Sequence, residues 1–417
     1  MSVFAESAVP AVASKRWTQL LFGLVAMMAI SSPQYVWTLF TKPFQETTGA
    51  SLPAIQVTFT LLIVLQTFFS PVQGWLNDRF SPKLMIAIGT ALSGLGWVAA
   101  AYATSLTTLY LTYGLLCGIG TGIVYVGIIG LMVRWFPDRR GFAAGLVAAG
   151  YGMGAMFTSF PITSMLESSG YQHTLITFGI ILGLVGVAAA LGLRAPLPGE
   201  VPEGALVRTA GRDTAPSAML RTPLFWLMFA MMTMMSTGGL MVTSNFANFA
   251  RDFGVGSALV FGLAALPLAL TFDRIMNGFT RPFFGWVSDH IGRENTMGLA
   301  FLLEAVAIML LLYFRENPFM FVLLSGVVFF GWGEIFSLFP STLTDTFGTR
   351  HATTNYGFLY MAQGIGSILG GPVAALLRDS FGSWVPVFGI VIVLDVLTGL
   401  LALFVLKGLR ARYIAQH

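Results

Sequence analysis

The segment Gly74-Trp75-Leu76-Asn77-Asp78-Arg79-Phe80-Ser81-Pro82-Lys83 returns 211 residues later as Gly285-Trp286-Val287-Ser288-Asp289-His290-Ile291-Gly292-Arg293. Each copy leaves a long apolar stretch and enters a short basic loop. A second echo pairs Gly145 and Gly152 with Gly357 and Gly364, at an offset of 212 residues. The chain therefore reads as two similar halves running in the same direction, and the question becomes what each half is made of.

Apolar windows between turn signals predict spans at 17–40, 54–76, 84–104, 108–133, 142–164 and 173–193, then 223–249, 257–287, 295–314, 319–343, 352–376 and 383–406. The order is six, a linker and six, an all-α membrane protein with twelve transmembrane helices in two repeats. This predicts an N-terminal half over 1–193, a linker over 194–222 and a C-terminal half over 223–417. The linker includes APLPGEVPEGALVRTAGRDTAPS, polar and without helical period, and reads as a flexible connector.

Composition agrees with a bilayer as the main solvent. Of 417 residues 56% are hydrophobic and 10% charged, against roughly 25% charged in soluble domains. So few charges could not cover soluble domains of this length, which excludes a soluble enzyme. Cys117 is the single cysteine, and His173, His290, His351 and His417 lack ligand spacing, so neither a disulfide framework nor a metal site is expected. A net charge of +4 is too small to indicate a nucleic-acid partner. No cofactor is implied.

The distribution of that charge sets an orientation. One set of alternate loops, with both termini, holds 16 of the 22 Lys and Arg residues; the other holds Lys42, Arg251, Arg315 and Arg378. Arg274 and Arg281 fall inside a span. Because cytoplasmic loops retain positive charge, both termini are expected in the cytoplasm, in a cell (inner) membrane, with no removable signal peptide. Nothing in the sequence demands more than a monomer.

Parallel six-span repeats are an architecture of secondary transporters, with the substrate held between the halves near mid-membrane. Span 8 carries the charges such a site needs. In LALTFDRIMNGFTRPFFG, Asp273, Arg274, Asn277 and Arg281 fall within an arc of about 100° at 3.6 residues per turn. Intramembrane charges normally face a cavity or one another. A guanidinium grips a carboxylate through two parallel hydrogen bonds and stays charged when buried. Arg281 is thus the primary candidate anion ligand, with Asn277 as a neutral second donor. Asp273 and Arg274 have two readings, an ion pair within the bundle or, for Asp273, a proton carrier. Glu334 is a further proton candidate because it stands two residues beyond Trp332 in a span expected to line the cavity. Glu304 and Asp395, on peripheral spans, are expected to meet structural partners.

The repeated G-x-x-x-D-R/K motif resembles the signature of the major facilitator superfamily, with Ser81-Pro82 and His290 as departures. Gln34-Tyr35-x-Trp37, Gly122-Ile-Val-Tyr125, Arg134-Trp-Phe-Pro-Asp-x-Arg140-Gly, Ala148-Ala-Gly-Tyr151-Gly, Arg281-Pro-Phe-x-Gly and Trp332-Gly-x-x-x-x-Leu-Phe-Pro-Ser341 resemble its oxalate:formate antiporter and monocarboxylate porter family. The resemblance covers nearly the whole chain. It implies a carrier of small carboxylates with an Arg, here Arg281, and a Lys at the site. Neutral Gln363 stands where that Lys would be. The implied aromatic box is Tyr35, Tyr125, Tyr151, Trp332 and Phe336, its hydroxyls and indole N–H orienting a small acid.

One clear cation favours a monocarboxylate such as lactate, pyruvate or formate, carried by alternating access and coupled to protons. Oxalate:formate exchange is the alternative, with Arg274 supplying the second charge. Asp78, Arg79, Arg134, Arg140, Asp289 and Arg293 are expected to form a cytoplasmic gate. The glycine runs Gly118–Gly122 and Gly150–Gly154 lie inside apolar spans and read as helix-packing surfaces, not nucleotide loops.

Overall fold

In a computed structural model, residues 8–201, 213–255 and 258–416 are described. Twelve spans run through them: α1 (Ala8–Ala29), α2 (Leu52–Thr67 continued by Ser70–Arg79), α3 (Pro82–Ala100), α4 (Leu106–Trp135), α5 (140–169), α6 (171–191), α7 (Pro223–Asp252), α8 (Ala265–Ile291), α9 (Arg293–Tyr313), α10 (Pro318–Phe347), α11 (Ala352–Phe381) and α12 (Trp384–Gln416). The break between α5 and α6 is Gly170, whose φ of 78° is open to glycine at little steric cost. Around α2 the chain bends by 45°, just before Pro71, which lacks the N–H that a continuous helix would use.

Three expectations about the elements need correction. Span 1 is not one helix to residue 40. It stops at Ala29, and the chain continues as a turn at Ser32–Tyr35, a 3-10 turn at Trp37–Leu39 and a helix at Thr41–Thr48. Pro33 removes a helical donor, and Ser31 Oγ bonds back to the Met28 carbonyl at 2.9 Å. Span 8 does not begin at 257. Leu259–Val260 and Leu263–Ala264 pair as a small antiparallel hairpin, with Phe261 and Gly262 at positive φ, before α8 starts at Ala265.

The linker is docked wherever it is described. Arg194 forks onto Glu200, with N···O distances of 2.6 and 2.7 Å, and its carbonyl accepts from Trp135 Nε1. Asp213 accepts from the backbone of Thr349 and Arg350. Residues 202–212, the middle of the expected connector, lie outside the described residues.

The halves meet along two symmetry-related lines, α5 on α8 and α2 on α11. A Cβ on Gly145 would lie 2.2 Å from the Arg281 carbonyl oxygen, and one on Gly357 would lie 2.3 Å from that of Ser70. Both pairs obey the repeat, since Ser70 precedes Arg281 by 211 residues and Gly145 precedes Gly357 by 212. Only a glycine permits helix axes this close. These crossings lie between the centre of the bundle and the end bearing the basic loops, called here the basic end.

Candidate functional site

Beyond the glycine crossings the halves part around a cavity of about 150 Å³. Liquid water occupies roughly 30 Å³ per molecule, so the space suits a small acid and its hydration. The wall at Thr243, Leu270 and Arg274 is exposed. All three lie on the side of the site away from the basic end, so the cavity is closed towards the basic end and open away from it.

Arg281 lies on the cavity wall, 2% exposed. Pro282 follows it within α8, and Gly152 of α5 offers bare backbone to the guanidinium, a Cβ there lying 3.4 Å from Cζ. Nη1 donates to the Ala148 carbonyl of the opposite half at 2.6 Å, and Nη2 donates to Asn277 Oδ1 at 2.7 Å. The Phe336 ring centroid lies 4.4 Å from Cζ. No carboxylate pairs with Arg281 among the described residues. Asn277 therefore has a different geometry from the one expected: its oxygen holds Arg281 in place, which leaves its amide N–H groups as donors.

Asp273 and Arg274 do not form the anticipated ion pair. Asp273 is 2% exposed and both its carboxylate oxygens lack hydrogen-bond partners among the described residues. Arg274 is exposed and reaches across to the N-terminal half, its Cζ 5.8 Å from the Tyr35 ring centroid. Tyr35, Tyr151, Tyr125 and Tyr360 form a chain of ring contacts with centroid separations of 5.5, 5.1 and 4.9 Å. Tyr151 Oη donates to Gln34 Oε1 at 2.5 Å, and Gln66 Nε2 donates to Tyr360 Oη at 3.3 Å. Gln363 also lines the cavity, its Oε1 accepting from Ser236 Oγ at 2.9 Å.

Trp332 and Phe336 reach the wall as expected, with ring centroids 5.7 Å apart. The indole N–H is not available to a ligand, because it donates to the Met235 carbonyl at 3.0 Å. Glu334 departs from expectation more sharply. It is fully buried, does not line the cavity, and neither of its carboxylate oxygens has a partner among the described residues. Glu304 and Asp395 are likewise fully buried with all oxygens unpartnered, so the structural partners foreseen for them are not found among the described residues.

Sequence reasoning gave no role to Gln34, Gln66 or Tyr360. The repeat carried a signal for one of them: Gln66 precedes Asn277 by 211 residues, just as Tyr125 precedes Phe336. Tyr151 and Gln363 are related the same way, at 212.

At the basic end the charged residues form two crossed latches. Asp78, at the end of α2, accepts from Thr354 N at 2.8 Å and Thr354 Oγ1 at 2.6 Å in the first turn of α11, and pairs with Arg134. Asp289, at the end of α8, accepts from Gly141 N and Phe142 N at the start of α5, each at 3.0 Å. Each signature carboxylate thus caps a helix of the other half, where N-terminal N–H groups and the helix dipole favour an anion. Arg293 pairs with Asp289 at 2.5 Å and with Asp345 at 2.8 Å, and Asp345 also receives Arg140 at 2.5 Å. Asp345 had not been anticipated. Arg79 stays outside the network, lying 5.5 Å over the Trp75 ring with no carboxylate partner among the described residues.

Two six-helix halves closed at one end around a charged cavity are the architecture of a membrane transporter. The family model described as Major Facilitator Superfamily matches residues 19–278 and 268–413. The chain is 34% identical over 392 residues to the oxalate:formate antiporter of Oxalobacter formigenes, covering 94% of this chain and 91% of that one. Monocarboxylate transporter 13 of Bos taurus is 27% identical, over 88% and 82% of the respective chains. A solved structure of a proton:xylose symporter, bound to 6-bromo-6-deoxy-D-glucose, superposes with a TM-score of 0.74 at 13% identity, over 93% and 95% of the chains. The chain belongs to the major facilitator superfamily; it is a membrane transporter and not an enzyme.

Proposed function

We propose that the transporter carries small carboxylate anions by alternating access, with monocarboxylates of the lactate, pyruvate and formate type favoured and protons as the coupled ion. The observation that carries this reading is Arg281, a buried cation on the cavity wall with no carboxylate partner among the described residues. A cargo carboxylate would complete its charge pairing, and Asn277 and the tyrosine hydroxyls would position the acid. The names of the two relatives point to the same substrate class. In this reading Asp78, Asp289, Arg134, Arg140, Arg293 and Asp345 form the cytoplasmic gate of an inner-membrane protein, caught here closed. The N-terminal half over 1–193 and the C-terminal half over 223–417 rock about the site.

Oxalate:formate exchange is the second reading, favoured by Arg274, a cation on the same cavity with no carboxylate partner among the described residues. The two readings separate in liposomes preloaded with formate and offered labelled oxalate or lactate, with and without an inward proton gradient. Gradient-driven lactate entry is expected; oxalate entry that needs internal formate and ignores the gradient would establish exchange instead. Arg281→Ala should cut uptake at least about 100-fold, as when one partner of a buried charge contact worth ~3 kcal/mol is removed. Normal uptake by that variant would overturn the assignment of the site.

A further inference from the structure

Behind Trp332, three helices of the C-terminal half bring together three acids that the cavity does not use. Glu304 of α9, Glu334 of α10 and Asp395 of α12 are each 0% exposed, and all six of their oxygens lack a partner among the described residues. Glu304 and Asp395 converge on one point of α7: a Cβ built on Gly238 would lie 3.9 Å from Glu304 Oε1 and 3.3 Å from Asp395 Oδ1. Glu334 stands at the break between the two segments of α10, three residues beyond Gly331, whose added Cβ would lie 2.8 Å from Glu304 Cβ.

The charged surroundings are sparse. Of the elements packed around them, α7 presents Gly238, while α9, α10 and α12 present the three acids themselves. No cation pairs with any of the three among the described residues. Bare carboxylates this close in a dry interior cannot all be ionised, and the simplest link between two facing carboxyls is a shared proton. A metal ion is not the alternative, since no group of ligands among the described residues has the geometry to hold one.

We propose that Glu304, Glu334 and Asp395 form the proton-carrying site of this transporter, a carboxyl cluster separated from the cargo by Trp332. The inference rests on the reading of the chain as a proton-coupled carboxylate carrier and supplies the residues for it. Its coupling has a definite sign. A cargo anion seated on Arg281 brings negative charge to the cavity side of Trp332, which favours protons on the carboxyls behind it, so anion and proton are taken up together. One monoanion and one proton cross as a neutral pair, and both leave when the cavity opens to the other side.

The test compares wild type with Glu304→Gln and Asp395→Asn in proteoliposomes, using labelled lactate. Lactate–lactate exchange at equal pH should stay within about twofold of wild type, whereas accumulation driven by a proton gradient should fall at least about tenfold, the usual size of a coupling between sites. Accumulation at the wild-type level would overturn the proposal, and so would equal loss of both activities by a folded variant. Should the variants not fold, infrared spectra of Asp273→Asn protein in H2O and D2O, with that other buried acid removed, decide: a protonated-carboxyl band at neutral pH is expected, and its absence overturns the proposal. If wild type takes up none of lactate, formate or oxalate, the carboxylate reading fails, and the infrared result still decides the proton site.

Discussion

Arg281 and Gln363 divide the question of cargo between them. One places a permanent charge on the cavity wall; the other places a neutral amide on the opposite helix of the same half. A dianion facing a single guanidinium keeps one charge uncompensated in a poorly polar site. Gln363→Lys should therefore raise oxalate uptake relative to lactate by about tenfold, the effect of ~1.4 kcal/mol gained by the second carboxylate. An unchanged ratio in the liposome assay would count against the reading in which a second cation at this position sets the preference for a dianion. Placement of Arg281 was legible in the sequence because charge is rare in a span, and that of the tyrosines through the family resemblance alone. The partners of Asn277 and Trp332 were not, since Arg281 and the Met235 carbonyl reach them only through tertiary packing. Glu334 was misplaced because nearness to Trp332 in the sequence was read as nearness to the cavity, although two residues turn a helix by about 200° and so carry the acid to the face opposite Trp332 and Phe336.

Among the elements, α5 and α8 hold the basic end shut as surely as the ionic latches do. The Gly145 contact with the Arg281 carbonyl leaves no room for a methyl group. Gly145→Ala should destabilise this closed arrangement by about 1–3 kcal/mol, the usual cost of overpacking, and shift the population towards opening at that end. Spin labels on cysteines placed at exposed Arg139 and Asn295, one in each half, would read the change, with buried Cys117 left unlabelled. A distance distribution identical to that of the parent would count against the crossing as a determinant of closure. The number and order of the spans could be read from apolar windows, whereas the break after Ala29 and the hairpin before α8 could not. The first is a proline-bearing turn and the second an apolar hairpin turning on Phe261-Gly262, and a hydropathy window reads straight through both.

For the whole molecule, the repeat predicted more than a duplicated fold. It related the crossed caps, the glycine crossings and half of the cavity wall, while it concealed the places where the halves differ. Asp345 stands 211 residues after Arg134, so the same gate position carries opposite charges in the two halves. The linker contributes a fixed tie: Arg194 holds the Glu200 carboxyl down at about 2. An acid depressed in this way lends stability above the ordinary carboxylate range and loses it only as the pH falls towards 2, so pH effects on transport near neutrality do not arise there.

The hydrogen bond from Arg281 to the Ala148 carbonyl joins the halves at mid-membrane. When the basic end opens, this bond must break, and without an anion in place the guanidinium is left short of a partner in a dry site. A loaded carrier is spared that penalty. The empty protein should thus turn around more slowly than the filled one, and unlabelled acid on the far side of the membrane should accelerate entry of labelled acid. Equal rates with and without it would mean that Arg281 finds a substitute acceptor during the empty return. The same handshake that closes the resting protein would then make idle cycling, and the leak of the gradient that drives it, the slowest thing the molecule does.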